Sequence, residues 1–264
     1  MRPLLTEIVD WALKSGEILR KGSQEGFQVK HKGVIDLVTN IDHLSEEFIL
    51  GQIRASYPHH KIVTEESGTF EGNEQGCWYI DPLDGTINFS HGIPFFSVSL
   101  AYAEHNTVLM GVVYDPMRDE CFSAEKGVGA WLNGKPIHVS IIDQLINSML
   151  VTGFPYDKGV STEDNFDNFL HLNKKTQGVR RLGSAALDLC YIAAGRMEGY
   201  WELKMSPWDI AAGTLIVEEA GGVVTSLDGS LDYFKSPYSV VAANPPIGRL
   251  ILEELAAVSH PSPQ

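Results

Sequence analysis

Hydrophobic residues at helical spacing begin the chain and return after a polar interval. The apolar positions of the first predicted helix are Leu5, Ile8, Val9, Ala12 and Leu19. A second amphipathic helix is predicted to begin at Asp42, and its expected inner face consists of Leu44, Phe48, Ile49 and Ile53. Each helix therefore has one face to bury against another layer.

Strand-like runs follow, so the first half is predicted as helices followed by antiparallel strands. Residues 95–102 and 108–114 are rich in aliphatic and aromatic residues, and Asn133-Gly134 is a hairpin signal within 131–137. After a polar break near 140–147, strands and helices alternate. Predicted strands are 149–152, 200–203, 223–225 and 239–242, and predicted helices are 165–172, 185–194, Asp209 to a Gly221-Gly222 stop, and a last one after Pro245-Pro246.

Composition limits the function classes. The 264 residues, 44% of them hydrophobic, are enough for one large domain or two closely joined halves. A net charge of −14 argues against a general binder of nucleic acid or of anionic membranes. No apolar run approaches the length of a membrane span, so a cytoplasmic protein is expected. Cys77, Cys121 and Cys190 are expected to be buried thiols, and His59-His60 a solvated turn.

The segment from Asp81 to Asn88 indicates the clearest chemistry. Residues 77–80 predict a buried strand that ends at Asp81, and the stiff Pro82 turn is expected to return Asp84 to the same side. Two aligned carboxylates make a hard-oxygen site for Mg²⁺ or Mn²⁺. Gly85 begins an expected helix whose free N–H groups favour a phosphate. Taken alone, the segment is equally compatible with an Asx-Pro turn and solvated acids.

Three further acids lie at the ends of predicted elements. Glu65 follows the short strand 61–64, Asp209 lies in the first turn of its helix, and Asp42 begins another. Taken singly, each is more simply a solvated turn or an N-terminal helix acid. Together with the Asp81 segment, they favour one shared site.

Three long motifs carry a family resemblance. They are Thr-Glu-Glu-Ser-Gly at 64–68, Asp-Pro-Leu-Asp-Gly-Thr-Ile-Asn-Phe at 81–89 and Trp-Asp-Ile-Ala-Ala-Gly at 208–213. With weaker support from 36–42 and 183–186, they make nearly the whole chain resemble the inositol monophosphatase family. The resemblance implies an α+β fold, a five-layer α-β-α-β-α sandwich. Residues 1–143 and 144–264 would form its two halves, one cooperative unit with the site between them.

The resemblance also implies a metal site with two or three Mg²⁺ ions, for which Mn²⁺ is a possible substitute. One ion would be held by Glu65, Asp81 and the carbonyl of Leu83, and another by Asp81, Asp84 and Asp209. Four carboxylates in one cleft repel one another strongly. Two divalent cations would cancel that charge.

The implied reaction is hydrolysis of a phosphate monoester by in-line attack of a metal-activated water. Its catalytic residues would be Thr86, oriented by Asp42, and Glu65. The substrate-binding residues would be Asp84, Gly85, Thr86, Gly183, Ser184, Ala185, Glu202 and Asp209. Glu202 would accept hydrogen bonds from vicinal hydroxyls. Its simpler interpretation is an exposed acid on an edge strand.

The expected substrate is a small phosphorylated polyol, with inositol 1-phosphate first. Fructose 1,6-bisphosphate, NADP, adenosine 3′,5′-bisphosphate and histidinol phosphate are the alternatives, and the resemblance also suggests a homodimer and lithium inhibition. Residues 204–207 depart from the better-known members, and the lysine near the metal loop is either Lys30 or Lys32. A hypothesis of another class is a binding partner in transcription or RNA processing, although the charge argues against nucleic acid.

Overall fold

The computed structural model describes residues 2–31, 37–73 and 75–259. Within these ranges the chain forms seven α-helices and a short 3₁₀ helix at Leu145–Asn147. The α-helices are α1 Leu5–Glu25, α2 Asn40–Ser56, α3 Thr86–Ser90, α4 Phe166–Asn173, α5 Ala185–Ala193, α6 Pro207–Glu219 and α7 Pro245–Ser259. None of the described helices is both long and apolar enough to cross a membrane.

The described strands belong to three sheets. They are β1 Val29–His31, β2 Leu37–Thr39, β3 Lys61–Thr64, β4 Gly68–Phe70, β5 Gly76–Asp84, β6 Ser97–Glu104, β7 Thr107–Asp115, β8 Glu120–Glu125, β9 Gly129–Leu132, β10 Lys135–Pro136, β11 Met149–Thr152, β12 Gly178–Arg180, β13 Gly199–Met205, β14 Val223–Thr225 and β15 Tyr238–Ala243. The predicted strands 149–152 and 223–225 are confirmed with the same bounds.

The two large sheets differ in strand direction. The eight-stranded sheet has the order β10-β9-β8-β7-β6-β5-β3-β4, and only its β3–β5 pair is parallel. The five-stranded sheet has the order β12-β11-β13-β15-β14, and β11 pairs in parallel with both β12 and β13. The antiparallel first half is therefore confirmed apart from one pair. The strands β1, β2, β4, β8 and β12 were not predicted.

Helices cover and separate these sheets in five layers. Helices α1 and α2 pack on the outer face of the eight-stranded sheet, α5 and α6 lie between the sheets, and α4 and α7 cover the five-stranded sheet. Three apolar clusters fill the interfaces, with Trp11 and Trp78 in the first, Leu187 and Leu215 in the second, and Trp201 in the third. The predicted α-β-α-β-α sandwich is confirmed.

Several local predictions were wrong. Leu44 is 49% exposed. The inner face of α2 instead includes the buried polar residues Ser45 and Glu46. His60 is not solvated: it is 5% exposed and stacks on Tyr57. Cys77 is only half-buried, whereas the other two cysteines are buried. Lys30 is exposed on β1, and both Lys32 and Asp36 lie outside the described residues.

Candidate active site

A bulge in β5 brings two carboxylates to the same side. The strand does not end at Asp81, as predicted, but continues to Asp84. Asp81 pairs with Ser99 and Asp84 with Ser97, so three steps on β5 lie opposite two on β6. Side chains three residues apart in a regular strand face opposite sides, and the extra residue of a bulge removes that alternation. The spacing of the two acids therefore depends on a strand irregularity rather than on a terminal turn.

Backbone and hydroxyl donors surround these two carboxylates. Leu83 N–H donates to Asp81 Oδ1 at 3.0 Å. Asp84 Oδ2 accepts from the Ser184 hydroxyl and from Ala186 N–H at 2.9 Å, while Ala185 N–H donates to Asp84 Oδ1 at 3.3 Å. The N-terminus of α5 thus points its donors at Asp84. The predicted substrate residues Ser184 and Ala185 lie at the site, but these donors bind a protein carboxylate.

Three buried polar residues of α2 share one face of the helix and lie next to the site. Ser45 and Glu46 lie three and four residues after Asp42, so all three share one side of the helix. The Ser45 hydroxyl donates to the carbonyl of Pro82 at 2.7 Å. Glu46 Oε1 accepts from the Thr64 hydroxyl at 2.7 Å and from the N–H of Ser67, in the turn that carries Glu65, at 3.0 Å. These hydrogen bonds therefore hold two segments of the site in place, the one at Pro82 and the turn after β3.

Thr86 lies where Asp42 can orient it. Its hydroxyl is 3.1 Å from Asp42 Oδ1 and 2.9 Å from the carbonyl oxygen of Leu83. One hydroxyl proton thus has two acceptors. Burial raises the pKa of Asp42, and the hydrogen bonds from Thr39 oppose that shift. The expected helix after Gly85 is present, and it is five residues long.

Gly85 is required at the turn before Thr86. Its φ is 91°, a left-handed conformation that side chains rarely adopt. A Cβ there would lie 3.1 Å from the carbonyl oxygen of Phe95 and 3.2 Å from that of Gly183. The β5 end and the loop before α5 therefore approach each other through this glycine.

The acids of the site repel one another. Burial raises the pKa of Asp81 well above its usual value, and Glu65, Asp84 and Asp209 raise it further. Burial and Glu65 likewise raise the pKa of Asp209, whose Oδ2 accepts from the Ser206 N–H at 2.7 Å. Helix α6 thus places Asp209 in its first turn, as predicted, close to the β5 acids.

Glu202 lies on the opposite side of the cavity. Its strand β13 pairs with β11 on one side and β15 on the other, which excludes the edge-strand interpretation. The Tyr200 hydroxyl donates to Glu202 Oε2 at 2.7 Å, and burial raises the pKa of Glu202 to about 7. A Cβ at Gly153 would overlap the Glu202 carboxylate. Glycine therefore leaves room for this side chain.

Sequence reasoning missed Asp188 and Arg181, two charged residues that line the cavity. Asp188 is 2% exposed, and its Oδ1 has no hydrogen-bond partner in the described part of the chain. Burial, with Glu202 and Asp84 nearby, raises its pKa well above the usual value. Arg181 also lines the cavity. Asp188 follows the 183–186 motif by only two residues, so its place in α5 was the available signal.

One cavity of about 290 Å³ joins the two sides, near the lower end of the range of about 300–1,000 Å³ for small-molecule sites. The predicted site residues that line it are Glu65, Asp81, Leu83, Asp84, Gly85, Thr86, Gly183, Ser184, Ala185, Glu202 and Asp209. Asp42 contacts it through Thr86. Every predicted site residue is therefore at or next to this cavity.

The donor set is suited to a hard divalent cation, because it contains carboxylate and carbonyl oxygens only. In the described residues, no group of three or more His, Cys, Asp or Glu side chains is already arranged to hold a metal ion. Asp84 instead accepts hydrogen bonds from α5. Burial and neighbouring acids nevertheless raise the pKa of Asp81 and Asp209. A cation bound among these acids would offset their mutual repulsion.

Comparison with known proteins agrees with this geometry. Residues 1–263 match the model of the inositol monophosphatase family, whose members are generally Mg²⁺-dependent. A protein of Pasteurella multocida named Nus factor SuhB is 45% identical over 258 residues, 97% of this chain and 96% of that protein. The expectation that nucleic acid is an unlikely partner is not supported by this comparison.

Solved structures share the fold over nearly all of the chain. The extragenic suppressor protein suhB of Bartonella henselae has a TM-score of 0.89 at 37% identity, covering 94% of this chain and 96% of that one. The inositol monophosphatase of Anabaena (Nostoc) sp. PCC 7120 has a TM-score of 0.85 at 39% identity, covering 94% and 93%. The chain belongs to the inositol monophosphatase family.

Proposed function

We propose that the chain hydrolyses phosphate monoesters of small polyols and that inositol 1-phosphate is its first substrate. The observation that carries this proposal is the two-sided cavity. The bulged β5 end, together with Glu65 and Asp209, forms an oxygen-only acid cluster on one side, and β13 carries the half-buried Glu202 carboxylate on the other. A phosphate fits the first side if cations neutralise the acids, and hydroxyl groups fit the second.

The metal ligands in this proposal are Glu65, Asp81 and the carbonyl of Leu83 for one ion, and Asp81, Asp84 and Asp209 for another. When bound, Mg²⁺ would lower the pKa of a water molecule and neutralise charge on the phosphate and on the departing oxygen. A third ion and replacement by Mn²⁺ remain predictions. Hydrogen bonds from α5 and from Ser206 N–H hold Asp84 and Asp209 in orientation.

Thr86, oriented by Asp42, contacts the attacking water. The Thr86 hydroxyl donates its one hydrogen bond to Asp42 Oδ1. The lone pairs of the Thr86 oxygen can then accept a hydrogen bond from the attacking water. The Leu83 carbonyl is a competing acceptor, so Asp42 is needed to select the direction. Glu65 serves as the second carboxylate near that water.

Glu202 recognises the alcohol part of the substrate. The Tyr200 hydroxyl already occupies one of its oxygens, and the remaining lone pairs accept from substrate hydroxyls. The loop at Gly183 and the N–H groups near Gly85 and Thr86 close the cavity around the phosphate. The family resemblance supports a homodimer and a cytoplasmic location, and light scattering of the purified chain tests the first.

The deciding experiment is a phosphate-release screen with Mg²⁺. Inositol 1-phosphate, fructose 1,6-bisphosphate, NADP and adenosine 3′,5′-bisphosphate are compared at equal concentration, with Asp84→Asn as the matched control for contaminating phosphatase. We expect the highest kcat/KM on inositol 1-phosphate. A higher kcat/KM on one of the other three compounds would make that compound the proposed substrate. Absence of phosphate release from all four would reject the enzyme proposal.

A second candidate function is a role in transcription, supported by the Nus factor name of relatives that align with 97% of this chain. The test is binding of the purified chain to bacterial RNA polymerase and to transcript RNA. Asp84→Asn separates the two functions, since binding that survives this variant does not depend on phosphate chemistry. No binding to either would reject this candidate.

A further inference from the structure

Lys204 has a backbone conformation that residues with side chains rarely adopt. From Glu202 to Met205, three steps on β13 lie opposite two on β15, so the strand contains a bulge. Within it Lys204 has a φ of 56°, in the left-handed region usually taken by glycine. Such strain persists where surrounding contacts maintain it, and it concentrates at functional sites.

The Lys204 amine contacts the segment 154–164, which we call the outer wall. Lys204 Nζ donates to Ser161 Oγ at 2.7 Å and to Asp157 Oδ2 at 3.1 Å, and it lies 3.6 Å from Glu163 Oε2. One cation therefore contacts three positions of the outer wall. These contacts occupy the amine, so it is not a free cation for a second phosphate.

The outer wall forms part of the substrate cavity. Phe154, Pro155 and Tyr156 line it beside Lys204. Phe154 is anchored by ring contacts with Phe166 and Phe169 of α4, at centroid distances of 4.8 and 5.7 Å. Of the residues that follow, Asp157, Ser161 and Glu163 contact Lys204. Lys204 thus links strand β13 of the five-stranded sheet to the part of the outer wall that follows Phe154.

We propose that Lys204 is a positioning residue that holds the outer wall against the cavity and so sets the apparent affinity for the substrate. The identity of that substrate rests on the function proposed above. If the wall is in place in only a fraction of molecules, the apparent dissociation constant rises by the reciprocal of that fraction. The acid cluster lies on β5, α6 and the turn after β3, so the chemical step does not depend on the wall.

Two variants at this position separate the amine from the backbone strain. Lys204→Met removes the charge and keeps a long side chain in the left-handed conformation, whereas Lys204→Gly removes the amine and relieves the strain. We expect both to raise KM for inositol 1-phosphate by about 3- to 10-fold, as for loss of a small ion-pair network. We expect kcat to change by less than about twofold in both variants. Lys204→Gly should have a higher melting temperature than Lys204→Met, because glycine relieves the backbone strain.

Limited trypsin digestion measures how firmly the outer wall is held, and it requires no substrate. Lys158 lies in the outer wall and is half-buried, so cleavage after Lys158, identified by fragment mass, should be faster in both variants than in wild type. Lys135→Met, on the hairpin strand β10 at the sheet edge, is the matched control for loss of a lysine. It should leave both KM and cleavage after Lys158 unchanged.

The outcomes distinguish the explanations. Raised KM with unchanged cleavage in both variants would overturn the proposal and indicate that the amine contacts substrate directly. Raised KM in Lys204→Met alone would also overturn it, because both variants lack the amine. Unchanged cleavage and KM in both would also overturn it. If wild type does not hydrolyse inositol 1-phosphate, the proposed function fails, while faster cleavage still supports the wall contact.

Discussion

The two sides of the cavity place their carboxylates in opposite circumstances. The β5 side crowds Asp81 and Asp84 with Glu65 and Asp209, and mutual repulsion adds to burial in raising the pKa of Asp81 and Asp209. The β13 side presents Glu202, whose pKa is raised to about 7 chiefly by burial, with a smaller contribution from the charge of Asp84. The crowded acids favour bound cations, whereas Glu202, which already accepts from the Tyr200 hydroxyl, is suited to substrate hydroxyl groups. We infer that the first side carries out the chemistry and that the second recognises the alcohol part of the substrate.

Removal of metal ions should break the β5 side completely. We expect EDTA to abolish phosphate release and Mg²⁺ to restore it. Asp81→Asn should lower kcat by at least ~10²-fold and, because it removes a repelling charge while keeping the acceptor for Leu83 N–H, raise the melting temperature in EDTA. Scanning calorimetry and steady-state kinetics measure both effects. Asp10→Asn, an exposed acid of α1, is the control, and a fully active Asp81→Asn would contradict the assignment.

Thr86→Ala should damage the chemical step on every substrate. Loss of the hydroxyl between Asp42 and the reacting water is expected to lower kcat by roughly 10²–10⁴-fold, the range for a group that handles a proton. Thr86→Ser should restore most of the rate because it keeps the hydroxyl. Ser90→Ala controls for the helix, since the Ser90 hydroxyl donates only to the Ile87 carbonyl. Equal rates for the alanine and serine variants would remove Thr86 from the mechanism.

Most of this division was predictable from sequence, because contiguous motifs carry it. The three segments 64–68, 81–89 and 208–213 contain all four acids. Local patterns predicted nearly all of the helices and strands that bear them. The bulge at Asp81–Asp84 was not predictable, since it depends on pairing with Ser97 and Ser99 of β6. The buried polar face of α2 was missed for the same reason: its partners Pro82 and Thr64 are distant in sequence.

The pH dependence of stability sharpens the contrast on the β13 side. The folded state holds the Glu202 proton between the ordinary value of 4.5 and about 7, whereas the unfolded chain releases it, so wild-type stability falls as pH rises through this window. Glu202→Gln does not titrate. Its stability relative to wild type should therefore increase by about 1–3 kcal/mol across that window.

Urea denaturation at several pH values measures this difference. Glu253→Gln, an exposed position of α7, is the control and should show no such trend. A Glu202→Gln variant whose relative stability is constant from pH 4.5 to above pH 7 would show that burial of this carboxyl does not disfavour its charged form.

The central claim is tested most directly by the kinetics of Glu202→Gln on two substrates. Inositol 1-phosphate offers hydroxyl groups to the β13 side, and p-nitrophenyl phosphate does not. We expect the variant to lose about 1–3 kcal/mol of binding to inositol 1-phosphate, seen as a raised KM with kcat largely kept, and to hydrolyse p-nitrophenyl phosphate as wild type does. Equal loss on both substrates would contradict the separation of chemistry from recognition.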